Sequence, residues 1–154
     1  MIKYLKSQEI AEVNFHALAS ESEEKQHVIH DLSQLMFVEK YVKKFKIYDL
    51  YEISLAYCIS LILTHPFQNG NHRTSLLCAE LFLRKNGLKS NATDEKRLAL
   101  SKWRIEYEAE HDLEREFWHV AITEKDAERW KGINGIMKSE YGNEIKTWLR
   151  KNYG

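Results

Sequence analysis

The stretch HPFQNGNHRTSLLCAELFLRKNG, residues 65–87, sets an apolar helix behind a preface of histidine, asparagine and glycine. Leu76, Leu77, Cys78, Leu81, Phe82 and Leu83 supply the packed side, Arg84 and Lys85 stand in the last turn, and Gly87 is placed to close the helix as a left-handed cap. This pattern predicts a helix from about Asn71 to Asn86. Upstream, Pro66 disfavours α geometry at His65, so the preceding helix ends where the quoted stretch begins. Two helices therefore meet at the short loop FQNGN.

Working outward, the residues from Leu50 to Thr64 are apolar on nearly every face, which predicts a central helix buried all round. Its apolar run, Ile53 to Thr64, is too short to span a bilayer. A first helix is expected from about Ser7 to Ala19, with Ile10, Val13, Phe15, Ala17 and Leu18 as its apolar residues, followed by the polar joint SESEEKQ. The segment from His27 to Asp49 suits helix in part. Its β-branched and aromatic end fits either a short β-hairpin flap or an irregular one.

Beyond Gly87, Thr93 with Asp94 and Glu95 starts another helix, read through Trp103 and Tyr107 toward Trp118. Thr123 with Glu124 and Asp126 starts the next, and a last helix is expected from about Asn143 to Lys151. The tryptophans Trp103, Trp118, Trp130 and Trp148 read as core.

Composition agrees with this series of helices. The 154 residues make one domain, 1–154, by the usual size scale; 44% apolar residues exclude disorder, and one proline with six glycines leaves little material for a turn-rich all-β protein. The fold class is all-α. Lys plus Arg and Asp plus Glu balance at 23 each, so no overall charge draws the chain to nucleic acid or to a membrane surface. Cys58 and Cys78 lie inside apolar helical runs and no secretory signal precedes them, which predicts buried thiols in a cytoplasmic protein.

The loop carries the chemistry. A helix beginning near Gly70 offers unpaired backbone N–H groups and the positive end of its dipole, an anion cradle. Gly70 permits close backbone approach or a positive φ, Asn71 adds an amide donor, and Arg73 brings a permanent charge with a fork of donors suited to phosphate. His65, across the loop, is a candidate general base for a hydroxyl. Asn69 could orient a metal-bound water or donate to phosphate, although a neutral amide is a weaker magnesium ligand than a carboxylate. Each residue alone has a structural explanation in a turn or a solvated helix end. Together they are harder to explain by stability, because an arginine at a helix N-terminus opposes the dipole.

The stretch resembles the signature of the Fic/Doc superfamily, in which a histidine, a phenylalanine two positions on, and an acidic or amide residue followed by a small residue and Asn precede an arginine. The resemblance runs from about Asp49 to Gly87. It implies a compact helical Fic fold that moves a phosphate-containing group from ATP or another nucleotide to a hydroxyl of a target protein. His65 falls on the family's general base, Phe67 on the buried loop anchor, Asn71 and Arg73 on phosphate-contacting positions, and Gly70 on the backbone anion hole. Asn69 falls where many members carry Asp or Glu to hold magnesium, so a magnesium ion is implied with Asn69 as a weak ligand.

Adenylylating members read Gly before the arginine and carry a second arginine three residues later; this chain has His72 and Leu76 at those places. That pattern is closer to the Doc-like (death-on-curing) toxins, which resemble kinases in moving the terminal phosphate and usually carry Lys where His72 stands. A Doc-like arrangement implies a toxin–antitoxin system with an antitoxin partner. Fic-type adenylylation (AMPylation) and a catalytically decayed Fic-fold binding protein are the alternatives. The family's autoinhibitory signature is approached only by SESEEK, residues 20–25, which ends in Lys and does not complete it. His27 and His30 read as a surface pair, and His111 and His119, in a charged stretch, as surface residues.

Overall fold

The computed structural model describes residues 1–19, 28–29, 31–45 and 49–154. Eight helices occur among the described residues: α1 (Ser7–Ala19), α2 (Leu32–Val42), α3 (Leu50–Thr64), α4 (Asn71–Lys85), α5 (Asp94–Glu110), α6 (Leu113–Ala121), α7 (Asp126–Met137) and α8 (Glu140–Asn152). The all-α expectation holds. Isolated bridges, Ile29 with Phe67 and Ser90 with Tyr153, are the extended pairing present among those residues.

Helix α3 is the axis of the molecule. Every residue from Ile53 to Thr64 is buried, and α2, α4, α6, α7 and α8 pack around it. Asp49 starts the helix by accepting the Tyr51 N–H at 2.9 Å, and His65 ends it in a left-handed conformation with φ 51°. A helix with no polar face has nowhere stable except the centre of a bundle. Both cysteines are free and buried, and burial pushes the Cys78 thiol far up, out of the reactive range. Among the described residues no helix is long and apolar enough to cross a membrane.

The expected ends of α4 are present. Gly70 stands before it with φ 74°, and Gly87 follows Asn86 with φ 92° while the Leu88 N–H donates to Leu83 O at 3.1 Å. Thr93 caps α5 through the Lys96 N–H at 3.2 Å.

Four expectations need correction. The helix read from Thr93 toward Trp118 breaks at Asp112, which takes φ 52°, a conformation Asp tolerates better than most residues. The break turns α6 so that Leu113 and Phe117 face the core. Trp118, one position beyond Phe117, is carried to the other side of α6 and is 68% exposed, so it is not core. Thr123 closes α6 rather than starting α7: its hydroxyl donates to His119 O at 2.9 Å, and α7 begins behind Lys125. Helix α8 starts three residues earlier than expected, at Glu140, behind the Ser139 cap; Gly142 sits within its first turn because a Cβ there would lie 2.3 Å from Met137 O.

Between His27 and Asp49, residues 32–42 are helical, capped by Asp31 through the Ser33 N–H at 2.9 Å. The hairpin alternative at the end of that segment falls largely on residues 46–48, and the joint SESEEKQ and the histidines His27 and His30 on residues 20–27 and 30, all outside the described residues.

Candidate active site

The loop from His65 to Asn71 is held in one shape by three neighbours. Asn71 turns its amide back on Phe67, donating to Phe67 O at 2.7 Å and accepting the Phe67 N–H at 3.2 Å. The Phe67 ring is fully buried. Extended backbone at Val28 and Ile29 lies along the loop's outer edge, with the Gln68 N–H donating to Val28 O at 3.0 Å. Beneath it, the buried Asn14 of α1 donates to Asn69 O at 2.9 Å and to the Thr74 hydroxyl at 3.0 Å.

Gly70 is required twice. Its φ of 74° is unfavourable for a side chain, and a Cβ there would stand 3.0 Å from Leu18 Cδ2 and 3.3 Å from Asn14 Nδ2. The Thr74 N–H donates to Gly70 O at 2.9 Å, so the helix ladder starts at this glycine. The N–H groups of the first turn therefore precede the ladder, as an anion-binding helix start needs.

His65 and His72 lie on one cleft of about 510 Å³, a size suited to a nucleotide-sized ligand. Its walls come from α2 (Gln34), α3 (Thr64) with its cap His65, α4 (His72), α5 (Glu108) and α6 (Glu114, Phe117, Trp118). His65 and Arg73 are exposed, whereas Asn71 is buried. Asn69, Gly70, Asn71 and Arg73 are absent from the cleft walls; the first three lie between the two histidines, and Arg73 follows His72 in the first turn of α4.

Sequence reasoning missed the polar floor of this cleft. Glu108, 2% exposed, holds His72 Nε2 at 2.7 and 2.9 Å and accepts the Tyr141 hydroxyl at 3.0 Å. Arg104, fully buried, donates to the Tyr141 oxygen at 2.9 Å, to the Ser75 hydroxyl at 3.0 Å and to His72 O at 3.2 Å. Burial opposes the Arg104 charge, but Tyr141 and Glu108 more than offset it and hold the guanidinium protonated. Burial also pushes the Tyr141 phenol up, so it stays a neutral donor. Arg104 and Glu108 sit four apart on α5, which the sequence presents as one more charged helical pair.

A profile of the Fic/DOC family matches residues 4–83. The chain belongs to the Fic/DOC family. No curated protein matches it. The Fic/DOC family comprises transferases that use nucleotide substrates to modify proteins. The match starts well ahead of Asp49 and so includes α1, whose Asn14 and Leu18 support the Fic/DOC loop.

The described residues form no all-protein cage for magnesium; an ion here would be shared with the phosphates of the nucleotide and its waters, with Asn69 as a weak protein ligand. No group of three His, Cys, Asp or Glu side chains among them could hold a metal. Asn69 offers a neutral amide, Asp31 spends Oδ1 on the start of α2, and Glu108 spends both oxygens on His72 and Tyr141.

Proposed function

We propose that this Fic/DOC protein is a Doc-like phosphotransferase, moving the terminal phosphate of a nucleotide such as ATP to a hydroxyl of a target protein. The observation that carries this reading is Leu76. It stands where adenylylating members would place a second arginine, and it is 3% exposed, packed into the core. Among the described residues of this loop and the first turn of α4, Arg73 and His72 are the basic side chains after His65. In this reading His65 takes the proton of the attacking hydroxyl, the first turn of α4 with Arg73 carries the phosphate charge, and Asn71 and Phe67 hold the loop in place.

The reading includes a bacterial toxin role, with an antitoxin as protein partner, as the Doc resemblance implies. Mass spectrometry of proteins from a bacterial lysate incubated with ATP and the chain tests the reaction. Hydroxyl side chains that gain a phosphate support the proposal. Side chains that gain a whole nucleotide monophosphate replace it with adenylylation.

A further inference from the structure

Glu108, buried under the cleft, bonds His72 as well as Tyr141. Glu108 is already balanced by the buried Arg104 through Tyr141, by bonds of 2.9 and 3.0 Å. His72 adds a third partner at 2.7 Å, and it does so from the second position of α4, where the helix dipole disfavours a cation. Its side chain is 38% exposed on the cleft wall. With Nε2 committed to Glu108, Nδ1 is the ring nitrogen left for a ligand, and it has no protein partner among the described residues.

We propose that Glu108 is a positioning residue that holds His72 as the proton donor to the oxygen leaving the nucleotide. The inference rests on the phosphotransfer reading above. The target hydroxyl oxygen forms its bond to the terminal phosphorus and gives its proton to His65. The bridging P–O bond breaks, and the departing oxygen takes the Nδ1 proton of His72. Exchange with solvent then returns one proton to His72 and removes one from His65. The carboxylate of Glu108 holds the ring at Nε2 and leaves Nδ1 to the departing oxygen.

Charged and titratable groups meet His72 from every neighbouring element. Glu108 and Arg104 lie on α5, with Arg104 donating to the His72 carbonyl, and Tyr141 of α8 acts through Glu108. Asp31 before α2, His65 after α3 and Glu114 on α6 share the cleft. Asp31 is committed to its cap and Glu114 is exposed, so the close, buried anion is Glu108.

The test is calorimetric titration of the full chain with ADP at about pH 6 and about pH 8, an interval that spans ordinary imidazole titration. Wild type is compared with His72→Gln, His72→Lys and Glu108→Gln. ADP's own phosphate titrates in the same interval, so the readout is the difference between variants. Wild type should lose roughly tenfold more affinity on going to the higher pH than His72→Gln, as expected for losing one charge-assisted hydrogen bond. His72→Lys should show no such extra loss, and Glu108→Gln should follow His72→Gln. The same pH dependence in wild type and His72→Gln would overturn the proposal, as would a wild-type dependence retained in Glu108→Gln. The two His72 variants carry the test if Glu108→Gln fails to fold. Transfer of labelled terminal phosphate is scored separately: its presence beside variant-independent ADP binding overturns the role of the pair alone. Its absence beside variant-dependent ADP binding overturns the phosphotransfer reading and supports the pair's contact with phosphate.

Discussion

Residues 4–83 and the helices α5 to α8 build facing walls of one cleft by different physical means. The first region works through local geometry: a helix forced to stop before Pro66, a left-handed glycine, and an amide that folds back on its own loop. The second works through contacts between residues far apart in the chain, His72 to Glu108 and Tyr141 to both Arg104 and Glu108. Local geometry leaves a motif that can be read in sequence, whereas a buried charge network leaves single residues with nothing to mark them. The family match follows the same division, covering the first region and stopping before α5.

The second region should be the easier to break. Arg104→Met removes the cation that balances Glu108 in a fully buried site and should cost about 3–5 kcal/mol, read by urea unfolding. A cost below about 1 kcal/mol would show that Glu108 does not depend on it. In the first region, Gly70→Ala should cost about 2–3 kcal/mol, because strain at positive φ adds to the contact with Leu18. Gly87→Ala is its control: the φ is also positive but nothing lies within 4 Å, so about 1 kcal/mol is expected. Equal costs would mean that α1 yields freely and does not fix the loop.

Two smaller effects sharpen the picture at the loop and at α1. Asn69→Asp should strengthen magnesium-dependent nucleotide binding by roughly tenfold, since a carboxylate is the better ligand. Affinity unchanged across a magnesium titration would remove position 69 from the metal's surroundings. Ser7→Ala should cost about 1 kcal/mol at neutral pH. The Ser7 hydroxyl, 2.6 Å from Glu39, holds that carboxyl below its usual range, against the opposing effect of burial. A depressed carboxylate contributes fully above its unfolded-state value and loses that contribution as pH falls through the folded one, so the gap between Ser7→Ala and wild type should close in acid. A gap independent of pH would assign the loss to packing.

How much could be read in sequence follows from this division. The extents of α1 and α3 are legible in their apolar runs, and the end of α3, the end of α4 and the start of α5 in Pro66, Gly87 and Thr93, which act on their immediate neighbours. The break at Asp112 was not, since its reason is the burial of Leu113 and Phe117 against distant helices. Trp118 was assigned to the core by residue type, but its side of α6 depends on that break. The resemblance named His65, Phe67, Asn69, Gly70, Asn71, His72 and Arg73, yet Asn14 and Glu108, which meet that loop and His72, carried no local signal. An Asn among apolar residues and a glutamate four residues after an arginine are sequence patterns that surface helices also carry.

In the proposed reaction His65 drives transfer of a terminal phosphate. It is tested most directly by label transfer to lysate proteins from ATP labelled at the alpha or the gamma phosphate, with wild type beside His65→Ala. Gamma label should appear on protein and fall by about 10²–10⁴-fold in His65→Ala, whose exposed side chain should leave the fold intact. Alpha label on protein, or gamma label that persists in His65→Ala, would contradict it.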